Sequence, residues 1–405
     1  MSQTDAGWGA GPSARYEDLA ARFRPAFAEI RATAVARDGE RRLPHAEIGW
    51  LKEAGFTTLR LPEAAGGHGA SLPELFNLLI ELSQGDSNVT NALRAHFGFT
   101  EDVLCSTSPE WRARWTARIA AGQTIGSGVS ETGEAKVGQF DTILRRRGAE
   151  RVVDGRKFYT TGSLFADWIH LSAQDEDGAP VVAAVSTQAP GVSIEDDWDG
   201  FGQALTASGT AHFTGVVVEA DWIKPDPARF PYAMAFFQLV HLATLAGIGR
   251  AAAEDVARLV AERRRVYSHG NAGRTGDDPQ IQAVVGRVRG NAYAAGAIVL
   301  KAAEAVQRVF EARRDGADPT GPAALADVEV NQAVTVVTNL VLEATTGLFD
   351  ALGASAVKEG LGLDRYWRNA RTIASHNPRI YRDRIVGAFA VNGTAPPREY
   401  RVGSA

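Results

Sequence analysis

A single cysteine, Cys105, in 405 residues leaves no partner thiol, so neither a disulfide framework within the chain nor a multi-thiolate metal site can form. No metal is expected, and a reducing compartment fits. Basic excess is missing as well: 43 Lys and Arg stand against 48 Asp and Glu, for a net charge of −5. That leaves no field to neutralise a phosphate backbone, and nucleic acid is not an expected partner. The sequence also lacks an apolar run near the ~20 residues that cross a bilayer. Its first 13 residues have neither the basic start nor the apolar stretch of a secretion signal, so the expectation is a cytoplasmic protein with no membrane partner. No Gly-x-Gly-x-x-Gly opens a strand–helix–strand unit, so this chain is not expected to bind NAD(P)H itself.

What is present is a globular balance, 45% hydrophobic and 22% charged residues, in a chain long enough for two or three domains. Helical periodicity dominates both ends. The apolar residues Tyr16, Leu19, Phe23, Phe27 and Ile30 recur at three and four over 14–36, with Pro25 placed to kink or split the helix. A second helix starts at Pro44 and stops at Gly55, and others cover 72–84, 88–105 and 109–121, the last capped by Ser108. After Pro225-Asp226-Pro227, long Ala- and Val-rich helices over 232–267, 279–314 and 322–352, with a shorter one at 380–391, read as an antiparallel bundle. Between the helical blocks, 126–223 carries short β-branched runs such as Arg151-Val152-Val153 and Val181-Val182-Ala183-Ala184-Val185, bounded by Gly, Asp and Pro. These predict short antiparallel strands. The fold class is therefore α+β, mainly α: an N-terminal helical domain (14–122), a central antiparallel β-barrel domain (123–228) and a C-terminal four-helix bundle (229–405).

Several motifs punctuate this frame: Arg37-Asp38 with Arg42-Leu43-Pro44; Gly126-Ser127-Gly128-Val129-Ser130-Glu131; Phe158-Tyr159-Thr160-Thr161-Gly162 followed by Phe165-Ala166-Asp167-Trp168-Ile169; Asp196-Asp197-Trp198-Asp199-Gly200-Phe201-Gly202; and Arg365-Tyr366-Trp367-Arg368-Asn369-Ala370-Arg371-Thr372. In order and spacing, over nearly the whole chain, they resemble the acyl-CoA dehydrogenase superfamily, and within it the flavin-dependent monooxygenase branch typified by dibenzothiophene monooxygenase. The resemblance implies a two-component enzyme. A separate NAD(P)H:flavin reductase would supply reduced FMN or FAD, dioxygen would add at flavin C4a, and the hydroperoxide would pass one oxygen atom to sulfur, nitrogen or aromatic carbon of a small, largely apolar substrate.

Carried over residue by residue, the resemblance implies that Ser127 and Ser130 contact the flavin, Ser130 at its pyrimidine end, with Thr161 near N5 and Tyr159 packed on the ring. It implies that Arg265 reaches the cofactor phosphate, in this family often across a subunit boundary, which suits the guanidinium fork. His96 and His376 take the place of the branch's two substrate-side histidines, where imidazole could donate to the peroxide or exchange a proton near neutral pH. Two departures are visible: Ile373 replaces a further histidine, and Thr132-Gly133-Glu134-Ala135-Lys136-Val137 lacks a Lys-His pair common among relatives. The bundle helices are expected to form a homotetramer or a homodimer. Rival readings are an acyl-CoA dehydrogenase-type FAD oxidoreductase, with Glu254 or Asp255 as base, and an inactive flavin-binding homologue.

Overall fold

The computed structural model describes residues 5–133 and 139–398. In chain order the helices before the sheet are α1 (Tyr16–Ala21), α2 (Arg24–Glu40), α3 (His45–Glu53), α4 (Leu72–Gly85), α5 (Ser87–Ala92), α6 (Arg94–Cys105) and α7 (Pro109–Ala120). The strands are β1 (Ile125–Gly128), β2 (Ile143–Arg147), β3 (Glu150–Lys157), β4 (Trp168–Asp175), β5 (Pro180–Ser186), β6 (Val192–Ile194) and β7 (Ala211–Val217). The helices after it are α8 (Ala233–Glu262), α9 (Pro279–Arg314), α10 (Thr320–Gly347), α11 (Asp364–Ala374) and α12 (Arg382–Asn392).

Local chemistry explains most of the boundaries. Pro25 stands in the first turn of α2 and separates it from α1, because proline lacks the N–H an interior turn needs. Ser71 and Glu74 form a reciprocal capping box at the start of α4, and Ser108 Oγ accepts from Trp111 N at 3.3 Å to cap α7. The helix read over 88–105 is broken at Leu93 into α5 and α6, and α8 ends at Glu262 rather than continuing to Tyr267. At that end the Arg263 guanidinium donates to the Leu352 carbonyl, a tertiary contact that local periodicity does not announce.

The sheet corrects one expectation. Most neighbours are antiparallel, yet β4 runs parallel to β1 and, at its last two residues, to β2, with β5 antiparallel on its other edge. The seven strands form one mixed sheet in the order β1-β4-β2-β3-β7-β6, so they are not a purely antiparallel barrel. Parallel pairing sets β1 along the first half of β4, Ile125 opposite Trp168 and Gly128 opposite Leu171, and β1 leads directly into the Val129-Ser130-Glu131 segment.

The helices on either side of the sheet in sequence are not separate in space. Phe23, Phe76, Leu79 and Phe97 share one continuous apolar core with Phe236, Leu245, Val299 and Val341. Helix α8 is long and apolar enough to cross a membrane by length and composition, which the sequence reading did not anticipate; its most apolar window is 89% buried inside the protein, as for a core helix.

Asp327 on α10 is buried with Asn331 and Arg382 nearby, and burial pushes its carboxyl up to about 6. A carboxyl raised in the folded state costs stability above its unfolded pKa, and the full cost is present above pH 6. Asp327→Asn should therefore stabilise the protein by on the order of 2 kcal/mol at pH 8, with the gain gone by pH 4. Urea melts of both proteins at the two pH values check this; equal midpoints at pH 8 would show that Asp327 carries no such cost.

Candidate functional site

The site is built where the sheet meets helices from both halves of the chain. After β3 the backbone enters the left-handed region at Tyr159 (φ 57°), and does so again at Gly162 (φ 81°). A side chain at Gly162 is impossible without movement, because a Cβ there would lie 2.1 Å from the Ala92 carbonyl oxygen at the end of α5. The Thr160-Thr161 turn is thus clamped against the helical layer. Thr160 faces inward: its N–H and hydroxyl both donate to Gly209 O, at 3.1 and 2.9 Å.

Thr161 Oγ1 lies 2.7 Å from Ser208 Oγ, which lies 2.6 Å from Thr206 Oγ1, and Thr206 donates to the Gln203 carbonyl at 2.8 Å. A carbonyl only accepts and each hydroxyl has one proton, so the chain runs one way. Ser208 donates to Thr206, Thr161 donates to Ser208, and the Thr161 oxygen is left as an acceptor.

Ser127 and Ser130 are brought to this turn. Ser127 N–H donates to Thr161 O at 3.1 Å, and Phe158 N–H donates to Ser130 O at 3.0 Å. The Ser130 side chain is exposed. Glu131, next in line, holds structure instead: its carboxylate accepts from Lys157 Nζ at 2.5 Å, from Thr142 Oγ1 at 2.7 Å and from the N–H groups of Asp141 and Thr142. Lys157 is buried with it, and that burial draws its ammonium down to about 8. Tyr159 is 46% exposed, with the edge of Trp198 5.9 Å from its ring, so two aromatic side chains border the opening beside Thr161.

The loop that supplies Trp198 and Ser208 is bolted to both helical layers. Gln203 N–H donates to Asn369 Oδ1 on α11 at 2.6 Å, Gln203 Nε2 donates to Ser87 Oγ on α5 at 3.0 Å, and Leu205 N–H donates to Asn88 Oδ1 at 3.2 Å. A Cβ at Gly202 would meet the Arg368 carbonyl at 2.2 Å. Arg368 in turn donates to Asp38 at 2.6 Å, and Arg41 pairs with Asp196 at 2.8 Å. The sequence motifs are thus largely the fasteners of this seam.

His96, on α6, is fully buried, with Nε2 2.7 Å from the Thr57 carbonyl. That contact puts the proton on Nε2, leaving Nδ1 a buried acceptor without a partner. Burial holds the ring down to about 4. His376 follows α11 and packs on His241 of α8, ring centroids 4.3 Å apart. His376 is exposed, while the atoms packed around its ring, with Arg94 among its neighbours, lower its pKa. Both histidines are therefore neutral at pH 7. For buried His96 the expectation that it exchanges a proton near neutrality is corrected: it can act only as a neutral donor or acceptor.

His241 and Arg94 escaped the sequence reading. His241 is buried with Nε2 unpartnered, and Arg94 opens α6 two residues before His96. Each is a lone residue on its own helix, and only the crossing of α6, α8 and α11 joins them.

Arg265 does not join this group. It lies exposed on the segment after α8. From His241 to the end of that helix is about 32 Å at 1.5 Å per residue, so Arg265 cannot reach the same subunit's site. The stretch 134–138, where the relatives' Lys-His pair falls, lies outside the described residues.

Glu254 and Asp255 are engaged elsewhere. Glu254 accepts from Arg31 and Gln84, and Asp255 from Tyr366 and Arg31. Neither is an idle carboxylate.

Comparison with known proteins fits this geometry. The family model for the acyl-CoA dehydrogenase N-terminal domain matches residues 16–123, and that for the C-terminal domain matches residues 239–378. The chain belongs to the acyl-CoA dehydrogenase superfamily. It falls in the flavin-dependent monooxygenase branch of that superfamily. It is 27% identical over 388 residues to a probable FMNH2-dependent monooxygenase, SfnC, of Pseudomonas putida, covering 92% of this chain and 96% of that one. With a dibenzothiophene monooxygenase of Rhodococcus erythropolis it shares 26% identity over 388 residues, 90% and 91% of the two chains. The structure of FMN-bound TdsC from Paenibacillus sp. A11-2 superposes with a TM-score of 0.87 at 27% identity, over 95% of this chain and 99% of that one. The superfamily's layout of helices, sheet and bundle is what this chain adopts.

Proposed function

We propose that the protein is the oxygenase of a two-component system, taking reduced FMN from a separate NAD(P)H:flavin reductase and using dioxygen to oxygenate a small organic molecule. The observation that carries the reading is the direction of the Thr161, Ser208 and Thr206 hydroxyl chain. It leaves the Thr161 oxygen as an acceptor, which matches the N–H that a reduced flavin bears at N5 and an oxidised one lacks. When bound, reduced flavin supplies the two electrons that let one atom of dioxygen reach the substrate while the other leaves as water. The chain's own residues bind and border the site: Ser127 and Ser130 line the edge of the sheet, Tyr159 and Trp198 flank the Thr161 turn, and buried His96 and His241 present single polar atoms. The names of the relatives support FMN over FAD.

Arg265 fits the proposal only from a neighbouring subunit, so the assembly we propose is a homotetramer or at least a homodimer. The exposed Val266 and Tyr267 beside it give that contact an apolar surface. A dehydrogenase reading needs a carboxylate free to take a proton, and the engagement of Glu254 and Asp255 with Arg31, Gln84 and Tyr366 disfavours it.

Anaerobic titration with reduced FMN, followed by tryptophan fluorescence, should show binding tighter than that of oxidised FMN. Admission of labelled dioxygen with a panel of sulfides, sulfones, sulfinates, indoles and amines should then place one labelled atom in a product. If reduced FMN fails to bind, or reoxidises as fast as in buffer with all oxygen recovered as hydrogen peroxide, the protein is an inert relative.

Thr161→Val tests the hydroxyl directly. The change keeps the β-branched shape and removes a hydrogen-bond partner worth about 0.5–1.5 kcal/mol, so the yield of product per flavin oxidised should drop severalfold while the melting temperature changes little. An unchanged ratio of product to hydrogen peroxide would make Thr161 only a strand-end residue.

A further inference from the structure

Beside the two histidines lies an excess of positive charge that the described residues do not neutralise. Arg94 is half-buried, and among the described residues its one hydrogen bond is from Nε to the Phe237 carbonyl at 3.3 Å. Among the described residues no carboxylate pairs with it, and the one charged group close enough to affect it is another cation, Arg229. Burial and that neighbour together draw Arg94 down to about 9, a large shift for a group that is almost always fully charged.

Arg229 does not relieve the imbalance. Its Nε meets Asp102 at 2.9 Å, but Asp102 also faces Lys224 at 3.4 Å, and Arg229 Nη2 is buried without a partner. One carboxylate is thus shared by two cations, with Arg94 a third. Glu101 is committed to Arg60 at 2.6 Å and to the Tyr232 hydroxyl. The nearby rings add nothing negative: His241 and His376 are neutral, and Arg94 is among the groups that keep them so. Both guanidinium carbons stand 4.7 Å from the centroid of the Phe237 ring, which provides an apolar wall between them.

A buried or half-buried charge is ordinarily paired. The terminal nitrogens of Arg94 form a planar fork with no hydrogen-bond partner among the described residues, beside a small apolar surface and near the two packed histidines. We propose that Arg94, with Arg229 behind it, is the binding site for the negatively charged group of the substrate. The ligand class is a small organic oxyanion, a sulfinate, sulfonate or carboxylate with a short apolar tail lying on Phe237. This rests on the monooxygenase reading for the word substrate, but the binding site stands on its own. It also revises the expectation from the sequence of a small, largely apolar substrate.

The flavin phosphate has the same anion chemistry, and the test must separate the two. Calorimetric titration of the flavin-free protein with ethanesulfinate, propionate and the neutral ethyl methyl sulfone comes first. The anions should bind and the sulfone should not, and raising the salt concentration should weaken the anions alone. Arg94→Gln keeps hydrogen-bonding capacity and removes the charge; it should weaken ethanesulfinate about tenfold or more, with Arg94→Lys recovering part of the loss. Reduced FMN and reduced riboflavin should bind Arg94→Gln as they bind the wild type.

Equal affinity for the sulfone and the sulfinate, or anion binding unchanged in a folded Arg94→Gln, overturns the proposal. Loss of FMN affinity with riboflavin unaffected overturns it too, by assigning Arg94 to the cofactor phosphate. Anion binding without any oxygenation would sink the monooxygenase reading and leave this site intact.

Discussion

Replacing Arg37 by methionine is expected to cost the protein about 3–5 kcal/mol, the penalty for removing one partner from a buried ion network. Arg37 is fully buried at the crossing of α2, α3 and α5. It donates to Glu47 at 2.6 Å, to Asp86 at 2.7 and 3.1 Å, to Thr33 Oγ1 and to the Ile30 carbonyl. Methionine fills similar volume, so the loss comes from buried Asp86 left without its cation and Glu47 left with the more exposed Arg42 alone. Asp86 also caps α5 through Asn88 N, at 2.8 Å, and Asn88 holds the loop that carries Ser208. Fluorescence-monitored urea unfolding checks the magnitude, and pH separates the causes. Unpaired carboxylates have raised pKa values in the folded variant, so the gap from wild type should narrow as pH falls towards 4. A loss under 1 kcal/mol, or a gap independent of pH, would mean that Arg37 serves packing and not charge.

Gly162→Ala should cut oxygenation by about 100-fold or more, the scale that a 1 Å misplacement near a reacting centre can produce. Two constraints coincide at this glycine: its φ of 81° is strained for alanine, and the new Cβ would overlap the Ala92 carbonyl. Relief requires the Thr161 turn to lift from α5, which breaks the register of Thr161 on Ser208. The matched control is Gly148→Ala, in the β2–β3 hairpin, where φ is 64° and nothing lies within 4 Å of the added carbon. That variant bears the backbone strain alone and should lose stability but not activity. Should both variants keep full product yield, the clamp on Ala92 is not what sets the site.

Much of this architecture was legible because its signals are local. Pro25 divided the first helix, Ser108 capped the last one before the sheet, and the three long bundle helices followed their apolar stripes. What escaped was decided by distant chain. Leu93 interrupts 88–105 with no proline or glycine to announce it, at the point where the Gly162 turn presses on Ala92. The parallel pairing of β1 with β4 joins segments some forty residues apart, which strand propensity cannot register. At the site, Ser127, Ser130, Tyr159 and Thr161 could be found because they lie in two contiguous motifs. His241 and Arg94 come from stretches outside those motifs, and Arg94 looks like an ordinary surface arginine until its lack of an acid among the described residues is seen. His96 shows the limit of residue type as evidence: imidazole promised proton exchange, and burial removed it.

The shared core of the N-terminal and C-terminal helices has a consequence for how the protein is made. During synthesis α1 to α7 leave the ribosome with Phe76, Leu79 and Phe97 facing no partner, and more than a hundred residues, the whole sheet included, must follow before α8 arrives to cover them. Long-range closure of this kind is slow, and the waiting intermediate exposes apolar surface. The N-terminal half is therefore a poor candidate for independent expression. Chaperone demand during production should come from this interval, before α8 has been made, and should fall when α8 to α10 are supplied earlier in the chain by circular permutation.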